Sequence, residues 1–186
     1  MTRNLLPILV AAAVFITGLA LAQTPAANPK VLLKTTMGDI TLELYPAKAP
    51  ITVKNILDYV NAKHYDGLVF HRVIPGFMIQ CGGYTADMHE KATNPPIKNE
   101  SGNGLKNARG SAAMARSQEL DTATAQFYIN LVDNVSLDEM KYCVFGKVIA
   151  GMDVVDAIAK VKTGNKGIHQ NVPLEPVTIL SATVVK

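Results

Sequence analysis

From residue 30 onwards the chain alternates short apolar runs with polar punctuation, and two periodicities, 2 and 3.6, sort those runs into strands and helices. Residues 31–35 and 40–45 read as two strands around Thr36-Met37-Gly38-Asp39, a tetrad of turn formers. The alternation Ile40-Thr41-Leu42-Glu43-Leu44 is that of a strand with one wet face. Pro50 suits a first helical turn, and Val53, Ile56, Leu57 and Val60 form the apolar stripe of the helix behind it. Further strands are expected at 69–73, 78–81, 111–115, 126–131, 143–149 and 177–185, and Val154, Val155, Ile158 and Val161 predict a second helix. Residues 84–109 carry Asn94-Pro95-Pro96 and Gly102-Asn103-Gly104, which no regular element tolerates. A loop of that length inside a compact domain is expected to be functional. Short strands in this number, with only two helices, make the chain mainly β, an antiparallel barrel or sandwich.

The N-terminus follows a different pattern. Arg3 precedes an uncharged stretch with an apolar run from Ile8 to Ile16, and Ala20-Leu21-Ala22 supplies a small-x-small site. A positive start, an apolar centre and such a site together describe a cleavable signal peptide over residues 1–22, with an uncleaved membrane anchor as the alternative. Thr17 and Gly18 interrupt the apolar run and no stop-transfer segment follows, which favours cleavage. The expected protein is therefore exported, periplasmic in a Gram-negative bacterium, and without stable membrane association once cleaved. Residues 23–29 form a short polar leader, expected to be flexible, and residues 30–186 form one domain.

Composition narrows the function. Of 186 residues, 48% are hydrophobic and 18% charged, an ordinary globular balance. Loss of residues 1–22 removes one base, Arg3, and no acid, so the net charge falls from +3 to +2. That is too small and too scattered for a nucleic-acid or membrane-surface binder. The four histidines, at 64, 71, 89 and 169, lack metal-ligand spacing, so neither metal nor cofactor is expected. Cys81 and Cys143 are the only cysteines. An oxidising compartment permits a bridge between them, whereas their apolar surroundings favour two buried thiols.

The densest signal is Phe70-His71-Arg72-Val73-Ile74-Pro75-Gly76-Phe77-Met78-Ile79-Gln80-Cys81-Gly82-Gly83. Period-2 alternation puts Met78 and Gln80 on one strand face and Ile79 and Cys81 on the other; it likewise pairs Gln126 with Tyr128 opposite Phe127. One sheet surface can thus present Met78, Gln80, Gln126 and Tyr128 beside Arg72 and Phe77, an apolar face with a few donors that suits an extended, proline-bearing peptide. The same run resembles the central signature of the cyclophilin family. Met114-Ala115-Arg116, Gln126-Phe127-Tyr128-Ile129, Val144-Phe145-Gly146-Lys147-Val148 and Gly151-Met152 follow in the family's order, and Asn94-Pro95-Pro96-Ile97-Lys98-Asn99-Glu100 resembles its exported bacterial branch.

The resemblance implies a closed eight-stranded antiparallel β-barrel capped by two α-helices. It implies a monomeric peptidyl-prolyl cis-trans isomerase that acts on unfolded or extended proline-containing polypeptides; a non-catalytic peptide-binding module or chaperone using the same groove is the alternative. Arg72 is the implied catalytic residue. Phe77, Met78, Tyr128 and Leu137 are implied to line the proline pocket, and Gln80 and Gln126 to hold the substrate backbone and orient the arginine. Ala115 and Arg116 match positions that pair with the peptide main chain, Tyr142 stands where histidine is frequent, and His71 either lines the groove or is a satisfied core histidine. Four departures stand out: Cys81 replaces a usual glycine, Tyr128 a frequent phenylalanine, Ser136 the tryptophan of cytosolic eukaryotic enzymes, and the loop after Asp138 is short. Loss of that tryptophan implies weak cyclosporin binding.

Overall fold

In the computed structural model, which describes residues 27–185, the alternating runs become β1 (Lys30–Thr35), β2 (Gly38–Leu44), β3 (Arg72–Ile74), β4 (Met78–Cys81), β5 (Ser111–Met114), β6 (Phe127–Asn130), β7 (Val144–Ala150), β8 (Thr163–Lys166), β9 (His169–Pro173) and β10 (Ile179–Val185). Three helices, α1 (Pro50–Asn61), α2 (Val135–Glu139) and α3 (Met152–Ile158), complete it. The expected signal peptide and most of the expected leader lie outside the described residues. At the leader's end, the Pro29 carbonyl already accepts the Leu44 N–H at 2.9 Å.

Eight strands form one sheet in the order β10-β1-β2-β7-β5-β6-β4-β3, each neighbour antiparallel, and β8 and β9 pair separately. Register shifts at Lys34/Thr35, Thr41/Leu42 and Ala112/Ala113 bend and twist the strands that carry them, which curls the sheet. The closed barrel expected from the sequence is replaced by a curled sheet whose outer strands, β3 and β10, share no ladder. The residues before β3 reach across instead: Val69 bridges Thr178, the Phe70 N–H donates to the Val177 carbonyl at 2.9 Å, and Gly67 and Leu68 exchange bonds with Ile179. Those bonds occupy residues 67–70, so the strand expected at 69–73 begins only at Arg72.

Alternation then divides the sheet into two faces. Leu33, Ile40, Leu42, Ile79, Cys81, Met114, Phe127, Ile129 and Phe145 point into the main core. Met78, Ala113, Tyr128 and Val144 point outwards and form a second, smaller cluster with Leu137 from α2. The stripes of α1 (Val53, Ile56, Val60) and α3 (Val155, Ile158) pack into the main core, α1 against β10 and α3 against β2. Pro50 opens α1, and the Glu100 carboxylate accepts the N–H groups of Ile51 and Thr52 at 3.0 and 2.7 Å. The long loop of residues 84–109 is thereby tied to α1, because first-turn N–H groups have no partner within their own helix.

The third helix departs from the expected two: α2 is a single short helix, accompanied by a 3-10 turn at Leu120–Thr122. Cys81 and Cys143 are free and buried, so the choice between thiols and bridge falls to thiols. Burial raises the pKa of both, and Cys81 faces the core, away from Gln80.

Candidate active site

On the outer face of β3, β4 and β6, the residues named from the sequence meet in one groove of about 480 Å³. Its floor is apolar. Met78 on β4 and Tyr128 on β6 are diagonal neighbours on this face, because Gln80 pairs with Tyr128 and Met78 with Asn130 across the ladder. Leu137 from α2 and Phe77 from the turn before β4 complete the pocket. Tyr142 meets Tyr128 at 6.0 Å between ring centroids, edge on, and the Arg116 guanidinium stacks 4.4 Å above the Tyr142 ring. Arg116 also donates to the carbonyls of Ser117, Gln118 and Met140, so its side chain is held by the rim, and Ala115 beside it lines the groove.

The polar rim is built as a relay. Gln80 Nε2 donates to Gln126 Oε1 at 2.9 Å, which turns the Gln80 carbonyl oxygen towards Arg72; Arg72 donates to it at 3.4 Å. Each amide thus fixes the orientation of the next group. Gly83 makes room for the relay, since a Cβ there would lie 2.5 Å from Gln126 Nε2. Among the described residues Arg72 forms no salt bridge, and no acidic side chain lines the groove. Its charge is therefore left facing the cavity.

His71 lines the groove and is 5% exposed. Burial, reinforced by the charges of His169 and Arg72, pushes its pKa down to about 4, so it is neutral at pH 7. Its Nδ1 and the Nε of Arg116 are the buried side-chain polar atoms without a partner among the described residues, and both belong to this site. The Tyr128 hydroxyl, which replaces an expected apolar edge, is satisfied from below: it donates to Asn107 Oδ1 at 2.9 Å, and its pKa is raised by burial. Asn107 binds Asp138 Oδ1 through both its side chain and its backbone N–H, linking the pocket floor to α2.

Sequence reasoning missed five lining residues: Tyr84 and the hairpin residues Ile168, His169, Gln170 and Asn171. Thr163-Gly164-Asn165-Lys166 has no apolar alternation, so β8 does not read as a strand. The available signal was Gly167-Ile168 between Lys166 and His169, which pair in the ladder, because Gly167 adopts φ 58°, the first position of a tight hairpin turn.

The site is thus an uncompensated cation set beside an apolar pocket on a curled antiparallel sheet. Its fold is shared with a Cryptosporidium parvum cyclophilin-type peptidyl-prolyl cis-trans isomerase, matched at TM-score 0.73 and 24% identity over 86% of this chain and 98% of that one. The family model described as "Cyclophilin type peptidyl-prolyl cis-trans isomerase/CLD" matches residues 30–184. The peptidyl-prolyl cis-trans isomerase A of Dickeya dadantii is 55% identical over 160 residues, 84% of each chain. The isomerase B of Escherichia coli is 54% identical over 161 residues, 83% of this chain and 98% of its own. The chain belongs to the cyclophilin-type family and is a peptidyl-prolyl cis-trans isomerase.

Proposed function

We propose that Arg72 accelerates isomerisation by stabilising the twisted amide, and that the substrates are extended, proline-containing segments of exported proteins. The barrier to be lowered, about 18–20 kcal/mol, comes from resonance between nitrogen and carbonyl. As the bond twists, the nitrogen lone pair leaves conjugation and becomes a hydrogen-bond acceptor. A fixed cationic donor aimed at that nitrogen gains energy only in the twisted state, which is the condition for raising the rate. The observation that carries this reading is the Gln126–Gln80–Arg72 relay beside the Phe77–Met78–Tyr128–Leu137 pocket: a proline ring seated in the pocket leaves its nitrogen beside a guanidinium that no carboxylate neutralises and that the relay orients. No proton transfer or covalent intermediate is required.

Arg72→Ala should lower kcat/KM for an Xaa-Pro peptide by about two to three orders of magnitude, as removal of one preorganised donor does. Peptide affinity should change far less, and Arg72→Lys should restore only part of the rate because ammonium lacks the planar fork. Retention of most turnover by Arg72→Ala would falsify the mechanism. Export rests on the Arg3, apolar-run and Ala20-Leu21-Ala22 pattern, and Edman sequencing of the exported product should begin at Gln23. Cyclosporin binding should be weak, since Ser136 is exposed beside the pocket and offers no ring.

A further inference from the structure

The groove does not end at Arg72. Beyond β3, the last strand of the sheet, β9 packs alongside, so the order across the surface is α2, β6, β4, β3 and then the β8–β9 hairpin. At the hairpin tip, Gly167 and Ile168 form a two-residue turn between Lys166 and His169, which face each other in the ladder. Ile168 lines the groove and is 92% exposed. A branched aliphatic side chain held that far into water, on the wall of the groove, offers apolar area that a chain lying in the groove would cover.

The arm that carries it is fixed. His169 packs on Tyr84 at 4.9 Å between ring centroids, and Tyr84 packs on His71 at 4.8 Å, an aromatic stack running from the hairpin into the site. Lys166 Nζ donates to the Ala86 carbonyl at 2.7 Å, and the Leu174 N–H closes the hairpin base on the Lys162 carbonyl at 2.9 Å. The tip is thus presented by a rigid arm, so covering it costs little further ordering.

We propose that the hairpin is a substrate-reading wall and that Ile168 selects an apolar side chain on one flank of the proline. This rests on the groove being the isomerisation site. With the ring in the Met78–Tyr128 pocket and its nitrogen at Arg72, the flank leaving on the side away from Ala115 crosses β3 and meets the hairpin. Neighbouring strands lie about 4.8 Å apart and an extended chain advances about 3.3 Å per residue, so the reader falls two to three residues from the proline. An apolar side chain covering roughly 50 Å² there corresponds to about an eightfold preference over glycine.

The test is a protease-free NMR exchange assay on peptides with Leu or Gly placed two or three residues from Xaa-Pro, on either side in turn. The native enzyme should prefer Leu about three- to tenfold in kcat/KM on one side. Ile168→Ser should bring that ratio to within twofold of one, and Ile168→Leu should keep it; neither removes a core contact. An unchanged ratio in Ile168→Ser, or no preference on either side in the native enzyme, overturns the proposal. Arg72→Ala, measured on the same peptides, separates the two readings: a rate that survives it refutes the arginine mechanism, whereas a lost rate with an unchanged Leu/Gly ratio in Ile168→Ser refutes the hairpin alone.

Discussion

The pocket floor depends on Asn107, and its replacement can be worked through bond by bond. Asn107 is 1% exposed. Its Oδ1 accepts from the Tyr128 hydroxyl at 2.9 Å and from Asn130 Nδ2 at 3.2 Å, and its Nδ2 donates to Asp138 Oδ1 at 2.9 Å. In Asn107→Ala the consequences differ by partner. Asn130 Nδ2 keeps Ser111 Oγ at 2.8 Å, and Asp138 Oδ1 keeps the backbone N–H of residue 107 at 2.8 Å. The Tyr128 hydroxyl, on a residue only 4% exposed, keeps nothing. An orphaned buried hydroxyl costs about 1–3 kcal/mol, and loss of a bond to a carboxylate adds about 1.5, so the variant should lose roughly 3 kcal/mol.

Tyr128→Phe is the milder change, because Asn107 Oδ1 retains Asn130; it should cost about 1 kcal/mol. The double variant has no hydroxyl to strand. Its loss should fall short of the sum of the singles by about 1–2 kcal/mol, the signature of two groups in contact. Urea denaturation followed by far-UV circular dichroism gives all three values, and kcat/KM on a proline peptide reports whether Tyr128 and Leu137 have shifted. Strict additivity would show that the hydroxyl does not bond to Asn107 and that the floor is held in some other way.

Three further outcomes follow from the site. Gly83→Ala should displace Gln126, whose amide lies within 2.6 Å of the added carbon, loosen Gln80 and lower kcat more than stability; equal turnover in the variant contradicts the relay. His71, with a pKa of about 4 when folded and about 6.5 when unfolded, takes up its proton only in the unfolded chain between those values, so its contribution is complete above pH 6.5 and is lost as pH falls towards 4. Acidifying from pH 7 to 4.5 should therefore destabilise the native protein by about 2–3 kcal/mol more than His71→Gln, and equal losses in urea titrations refute the burial argument. Cys81 should resist alkylation until the chain unfolds; labelling of the native protein within minutes, read by mass spectrometry, contradicts its place in the core.

The legible parts of the fold were those with a period. Met78, Gln80, Gln126 and Tyr128 fall on one surface because strand side chains alternate, and a single residue's slip would have turned all of them inwards. Val53, Ile56 and Val60 gave α1 for the corresponding helical reason. Three features have no period. Residues 163–166 are Thr, Gly, Asn and Lys, a strand held by its partner rather than by a buried face. The helix α2 has five residues and buries only Leu137, too little for a stripe. Asn107 lies 21 residues before Tyr128 in an irregular loop, so only the folded chain brings them together. Sheet closure was over-read for a related reason: alternation counts strands, while the partners of the outermost two depend on backbone bonds that residues 67–70 make instead.

That division bears on how the enzyme is organised. The groups proposed to act at the reacting bond, Arg72 on β3, Gln80 on β4 and Gln126 just before β6, sit on or beside laddered strands, where backbone pairing limits movement and keeps a donor aimed. The groups that shape the groove beyond the pocket, Tyr84 and Ile168, sit on a loop and a hairpin tip. Substitution on the second set can alter which flanking residues are accepted while the relay keeps its geometry. Substitution on the first moves the charge itself. A variant altered only in the hairpin should therefore change the ranking of substrates, and one altered in the relay should slow all of them together.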